Sequence, residues 1–289
     1  MPALLDQLNR PAPIVLAPTG MVPTRAMTPY VPLTPAEIAR DVAAAAALGI
    51  TSVHLHARDE DGAPTWDRNV YARIVGAVRE AAPEVLINVS TSGRTWSELE
   101  KRADVLALDG DLKPDLASLT LSSLNFVTSA SLNAPDTIRD LVRIMRDRGI
   151  VPELEIFDLG MLNFAGALQR EGLLLGPLVV NLFFGNIAGM QPTLSEIGLA
   201  TERIPGPPGA LWSGAGLGDY QLIAQTVSLA AGGGVRVGLE DGIYLTRSRD
   251  KLATNAALVE QVHGVLDLLG RQAMSPAQFR SELRGEGQA

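Results

Sequence analysis

Among three histidines, His54 and His56 stand one residue apart at the end of the β-branched run Thr51-Ser52-Val53-His54-Leu55-His56. On a strand, side chains two apart leave the same face, so both imidazoles would project together as two donors of a metal chelate. Two packed or surface histidines are the alternative for this spacing taken alone. A third donor stands far downstream, in Val235-Arg236-Val237-Gly238-Leu239-Glu240-Asp241-Gly242. Period-two alternation puts Arg236, Gly238 and Glu240 on one face. Glu240 would then complete a two-histidine, one-carboxylate set for zinc, with a position left for water or substrate. A solvated turn is the competing reading of Glu240-Asp241-Gly242, because acidic residues and glycine favour turns.

Two other stretches carry polar groups into apolar surroundings. Pro152-Glu153-Leu154-Glu155-Ile156-Phe157-Asp158 sets two glutamates on one face of a strand. Buried carboxylates are costly unless paired or ligating, so one of them is a natural partner for Arg236, either in a site or in a purely structural ion pair. Asn88-Val89-Ser90-Thr91-Ser92-Gly93-Arg94 supplies hydroxyls and backbone N–H groups at a strand-to-helix junction. Such a junction either holds an anion or simply caps the helix. His263 falls in a helical segment and reads as an ordinary helix-face residue. The chain has no cysteine, which excludes disulfides, thiolate ligands and a thiol nucleophile.

The elements that must position these residues recur along the whole chain. Apolar, β-rich runs lie at Pro13–Pro18, Thr51–His56, Val85–Ser90, Ala117–Leu121, Val151–Phe157, Leu178–Phe184, Ala210–Ser213 and Val235–Leu239. Helical periodicity marks Thr34–Leu48, Asp67–Ala82, Pro135–Arg148, Met161–Glu171, Tyr220–Ala231 and Lys251–Leu269. Thr34-Pro35-Ala36-Glu37 is a capping box with proline at N1, and Gly49 closes that helix. Alternating strands and helices predict parallel βαβ units. Their number fits an α/β (β/α)8 TIM barrel, typically about 250 residues, in a single domain over 1–289; a doubly wound open sheet is the other candidate. The barrel is favoured by polar pairs near strand C-termini: His54 and His56, Asn88 and Ser90, Ser118 and Thr120, Glu153 and Glu155, Arg236 and Glu240. No Gly-x-Gly-x-x-Gly follows the first strand, and Gly232-Gly233-Gly234 reads as a helix stop and tight turn. From about residue 270 the chain is expected to fray or to contact a neighbouring subunit.

Composition narrows the function. Twenty-four basic against thirty-two acidic residues, a net charge of −8, disfavour nucleic acid as a partner. The N-terminus lacks a signal-peptide pattern and no uninterrupted apolar stretch reaches about 18 residues, so no membrane partner and a cytoplasmic location are expected.

Four segments in order, Ala17-Pro18-Thr19-Gly20-Met21-Val22-Pro23-Thr24, Val53–Asp59, Pro152–Asp158 and Val235–Asp241, resemble the β-keto acid cleavage enzymes. That family, formerly a domain of unknown function, includes 3-keto-5-aminohexanoate cleavage enzyme. The resemblance spans about Pro13 to Leu245. It implies a zinc-dependent barrel that reacts a β-keto acid with acetyl-CoA to give acetoacetate and a new acyl-CoA, as a homo-oligomer, a tetramer. It implies His54, His56 and Glu240 as zinc ligands and Asp241 as general base, oriented by Arg236 and a glutamate, Glu155 in preference to Glu153. Ser90, Gly93, Ser118 and Thr120 would contact the substrate carboxylate, with Ser90 counted also among the catalytic residues. Members acting on amino-keto acids are expected to carry an acidic residue in the loop after the first strand. Here that loop reads Gly20-Met21-Val22-Pro23-Thr24, which implies a substrate without a cationic amino group. The other readings are a metal-dependent hydrolase on a TIM barrel and a non-catalytic barrel binding a small carboxylate or CoA ester.

Overall fold

Eight short runs of buried aliphatic residues close on themselves in the computed structural model, which describes residues 4–206 and 210–285. The strands are β1 (Ile14–Leu16), β2 (Ser52–Leu55), β3 (Leu86–Val89), β4 (Leu116–Thr120), β5 (Val151–Ile156), β6 (Val179–Phe184), β7 (Leu211–Gly216) and β8 (Gly234–Val237). Each pairs in parallel with the next, and β8 returns to β1 with Val15 opposite Arg236. Closure excludes the open doubly wound sheet. The molecule is a single-domain (β/α)8 barrel.

The helices form where capping and periodicity coincide. Thr34 Oγ1 accepts from Glu37 N at 3.3 Å while the Glu37 carboxylate accepts from Thr34 N at 3.0 Å, which fixes the start of helix Pro35–Ala47. The helix Leu194–Glu202, between β6 and β7, has no counterpart among the expected segments. Its signal was present in Thr193-Leu194-Ser195-Glu196, where Thr193 Oγ1 accepts from Glu196 N at 3.2 Å. The connection from β3 to β4 is less regular, with only the short helix Leu99–Ala103 and two 3-10 turns. Among the described residues no helix is long and apolar enough to cross a membrane.

The floor of the barrel is closed by the chain's end. Ser275 caps helix Pro276–Leu283, and Phe279, buried, packs against Leu86, Leu116, Val179 and Leu211 at the N-terminal ends of four strands. Thr51 Oγ1 donates to the Met274 carbonyl at 2.6 Å. After residue 270 the side chains of Arg271, Met274 and Phe279 are buried, while Arg284 and Gly285 are exposed; residues 286–289 lie outside those described. Phe279→Ala should cost about 3–5 kcal/mol through lost burial and the cavity left behind. Urea unfolding would show the loss as a lower midpoint, and activity per folded molecule should not change, because the mouth is at the other end.

Candidate active site

The ends of β2 and β8 bring the metal-type donors together, and they do so in different ways. His54 lies on β2 and His56 one residue beyond it, and their Nε2 atoms stand 3.1 Å apart in a buried position. Strand β8 stops at Val237. Gly238 then adopts φ +152°, and the Ala17 carbonyl oxygen occupies the space that a Cβ would need, so no larger residue fits. The following turn is held by Gln221 Oε1, which accepts from Gly238 N at 3.1 Å, and by Asn255 Oδ1, which accepts from Leu239 N at 3.0 Å. The Ala17 carbonyl accepts from Glu240 N at 3.1 Å. The expected period-two alternation from Arg236 to Glu240 is thus corrected: Glu240 belongs to a turn. Consecutive Glu240 and Asp241 side chains therefore both reach Arg236, which a regular strand would forbid.

His56 Nε2 lies 3.2 Å from Glu240 Oε1, and the donors of His54, His56 and Glu240 all lie within 4.8 Å of one another. A tetrahedral ion about 2.0–2.1 Å from each donor sets donor–donor edges of roughly 3.3 Å. The two histidine-centred distances match that spacing. Glu240 Oε2 is buried without a hydrogen-bond partner, an acceptor left unused by the protein's own donors. Gly20, at φ +64°, presses against Glu240, and a methyl group on its Cα would stand only 2.5 Å from the Glu240 Cγ, so the loop after β1 limits where that carboxylate can go.

Three carboxylates gather around one arginine. Arg236 Nε and Nη2 donate to Asp241 at 3.0 and 3.3 Å, Nη2 lies 2.7 Å from Glu240 Oε1, and Nη1 lies 3.9 Å from Glu155 Oε1. Glu153 turns the other way: its Oε1 accepts from Asn88 Nδ2 at 2.5 Å and stands 4.0 Å from His54 Nδ1. Glu153 lies on the side of the ring nitrogen that does not face His56, but at 4.0 Å it makes no hydrogen bond there, and His54 Nδ1 is buried without a partner. Arg236 alone contacts Glu240, Asp241 and Glu155, and a divalent cation at the His54, His56 and Glu240 donors would add positive charge to this acidic group.

The electrostatics follow from burial and from that arginine. Burial works to raise Glu240, but Arg236 and the two histidines outweigh it and hold the carboxyl well below its usual range. Burial, only partly opposed by Arg236, pushes Asp241 up to about 6, with the charge of Glu240 adding to the rise. Glu153 is pushed up to about 7, again by burial against the pull of Arg236. Burial and the Arg236 charge lower His54 well below the ordinary histidine value, which favours the neutral ring that a metal ligand would need.

The remaining expected residues divide. Ser90 sits at the end of β3, its Oγ accepting from Ser92 N at 3.3 Å, and lines a narrow cavity with His56. Thr120 Oγ1 donates to Glu155 at 2.6 Å. Ser118 serves the loop after β3, since its carbonyl accepts from Thr91 Oγ1 at 2.5 Å. Gly93 packs directly on the Leu132 carbonyl, which leaves no room for a Cβ. His263 lies on the outer helix Asn255–Leu268, away from these groups. Gln221, Gln225 and Asn255, which hold the β8 turn, escape a reading by motif because amides on helices carry no spacing signature. Gln225 Nε2 also donates to the Arg236 carbonyl at 2.9 Å.

Titratable side chains from β2, β5 and the β8 turn thus converge at the C-terminal mouth, where barrel enzymes carry their chemistry, and the molecule is a TIM-barrel enzyme. Residues 11–284 match the model of the beta-keto acid cleavage enzyme family, and the chain belongs to that family. It is 37% identical over 281 residues to the 3-oxoadipate:acetyl-CoA acetyltransferase of Cupriavidus necator, an alignment covering 96% of this chain and 95% of that one. It is 33% identical over 272 residues to the 3-keto-5-aminohexanoate cleavage enzyme of Fusobacterium nucleatum, covering 93% and 96%. The apo structure of ObcA superposes with a TM-score of 0.81 at 23% identity over 90% of this chain and 66% of that one, a likeness of fold.

Proposed function

We propose that this enzyme is zinc-dependent and transfers the acyl part of a β-keto acid to coenzyme A, with acetyl-CoA as co-substrate and acetoacetate as second product. The observation that carries the reading is the cluster of His54, His56 and Glu240 donors with Asp241 on the same turn. The three donors would hold the ion, which when bound supplies Lewis-acid polarisation of the substrate ketone. Asp241 takes a proton from the carbon between carboxylate and ketone, while Arg236, fixed by Glu240 and Glu155, keeps its carboxylate aimed. That carbon bonds to the acetyl carbonyl and the CoA thiolate leaves. The thiolate adds to the original ketone carbon, the carbon–carbon bond breaks, and the released carbanion takes the proton back from Asp241. No redox partner is needed.

The substrate's variable group is uncharged or anionic. The loop Gly20–Thr24 offers no acid, and Arg58 lies beneath it, donating to the Gly20 and Pro23 carbonyls at 2.9 and 3.0 Å. The charge hydrogen-bonded to that loop is thus a cation, which disfavours an ammonium on the substrate. Acetoacetate formation from acetyl-CoA and a panel of β-keto acids, with and without a chelator, tests both parts. Turnover should need the metal and favour uncharged or acidic substrates over cationic ones of similar length. Silence across a broad panel would overturn the reaction, and preference for an amino-keto acid would overturn the substrate class.

A further inference from the structure

The loop after β3 rests on a buried cation that no carboxylate neutralises. Arg102, on the short helix Leu99–Ala103, is only 3% exposed. Its Nε donates to the Thr91 carbonyl at 2.8 Å, Nη2 to Asn133 Oδ1 at 2.8 Å and Nη1 to the Leu132 carbonyl at 3.3 Å. All three acceptors are neutral, and among the described residues no acid pairs with the guanidinium. Burial lowers its pKa to about 10, with only the more distant charge of Glu155 opposing, as expected of a desolvated charge lacking a counterion. Leaving a charge so placed is costly unless something else in the working protein supplies the anion.

The guanidinium shares a cavity with residues of the site. Arg102 lines the same narrow cavity, about 20 Å³ or room for about one water, as His56, Ser90, Thr91 and Ser92. The Gly93 backbone closes directly over the guanidinium, since a Cβ there would stand 3.0 Å from Nη1. Neighbouring cations are already engaged: Lys101 pairs with Glu98 at 2.7 Å, and Arg94 lies over the Phe126 ring and donates to Ser129.

We infer that Arg102 is the positioning residue for the substrate carboxylate, shaping the Ser90–Gly93 loop through neutral acceptors and supplying the positive charge that a β-keto acid, but not its ester, finds there. The inference rests on the β-keto acid reading above. It assigns to one buried arginine the charge selectivity of a loop that otherwise presents only hydroxyls and amides.

Calorimetry on the metal-loaded protein without acetyl-CoA tests it, with acetoacetate and methyl acetoacetate as probes. Wild type should bind the acid more tightly than the ester. Arg102→Gln should weaken acetoacetate by about ten- to thirtyfold and leave the ester within about twofold, the scale of a lost charge-assisted hydrogen bond. A purely structural bracket would weaken both probes together, and that result, or no change in either, would overturn the inference. Should the glutamine variant fail to fold, Arg102→Lys decides. It keeps the charge and loses the fork, so most of the acid-over-ester preference should survive, and equal loss for both probes would again overturn it. If wild type shows no acetoacetate binding and no turnover, the failure is of the β-keto acid reading itself.

Discussion

His54→Ala is expected to remove metal and activity together while leaving the barrel folded. The His54 ring supplies one of three donors, and its Nε2 stands 3.1 Å from that of His56. Two donors from the remaining His56 and Glu240 do not enclose an ion, and Arg236 already competes for Glu240 at 2.7 Å. Loss of an outer hydrogen-bonding partner of a metal ligand typically costs 10–100-fold in affinity or activity, so loss of a ligand itself should exceed that, on the order of 10³-fold in turnover. Elemental analysis of the purified variant and acetoacetate release measure the two effects, and far-UV circular dichroism checks the fold. Full activity in a metal-free variant would return the histidine pair to a packing role.

Asp241→Asn should give the opposite separation, with metal kept and turnover lost. The amide is nearly the same size and still offers Arg236 an oxygen in place of the carboxylate now 3.0 Å from Nε. It cannot accept the proton. General-base removal is worth about 10²–10⁴-fold, and that fall should appear in kcat with little change in KM. A direct readout is exchange of the substrate's α-hydrogens with solvent deuterium, which Asp241 should promote even without acetyl-CoA. An asparagine variant that exchanges at the wild-type rate would assign the base elsewhere, Glu153 being the nearest alternative carboxylate to His54.

Both experiments turn on residues that stand out in the sequence, because strand periodicity, capping boxes and the His-x-His spacing are local properties encoded within a few neighbours. Those signals were enough for the alternating elements, the closed barrel and the donor types at its mouth. They could not show that β8 ends at Val237, since the Gly238 turn is enforced by Ala17 across the barrel seam. Nor could they separate Glu153 from Glu155, which share a strand face and differ only in facing Asn88 and His54 or Thr120 and Arg236. The supports of the β8 turn, Gln221 and Asn255, and the cation under the β3 loop, Arg102, are equally silent as a pattern. Their roles depend on carbonyls and amides that folding brings close from distant positions, as Asn255 meets Pro18 across 237 residues of chain. Local sequence determined which chemistry the mouth could carry; tertiary contact decided which oxygen and which charge serve each part of it.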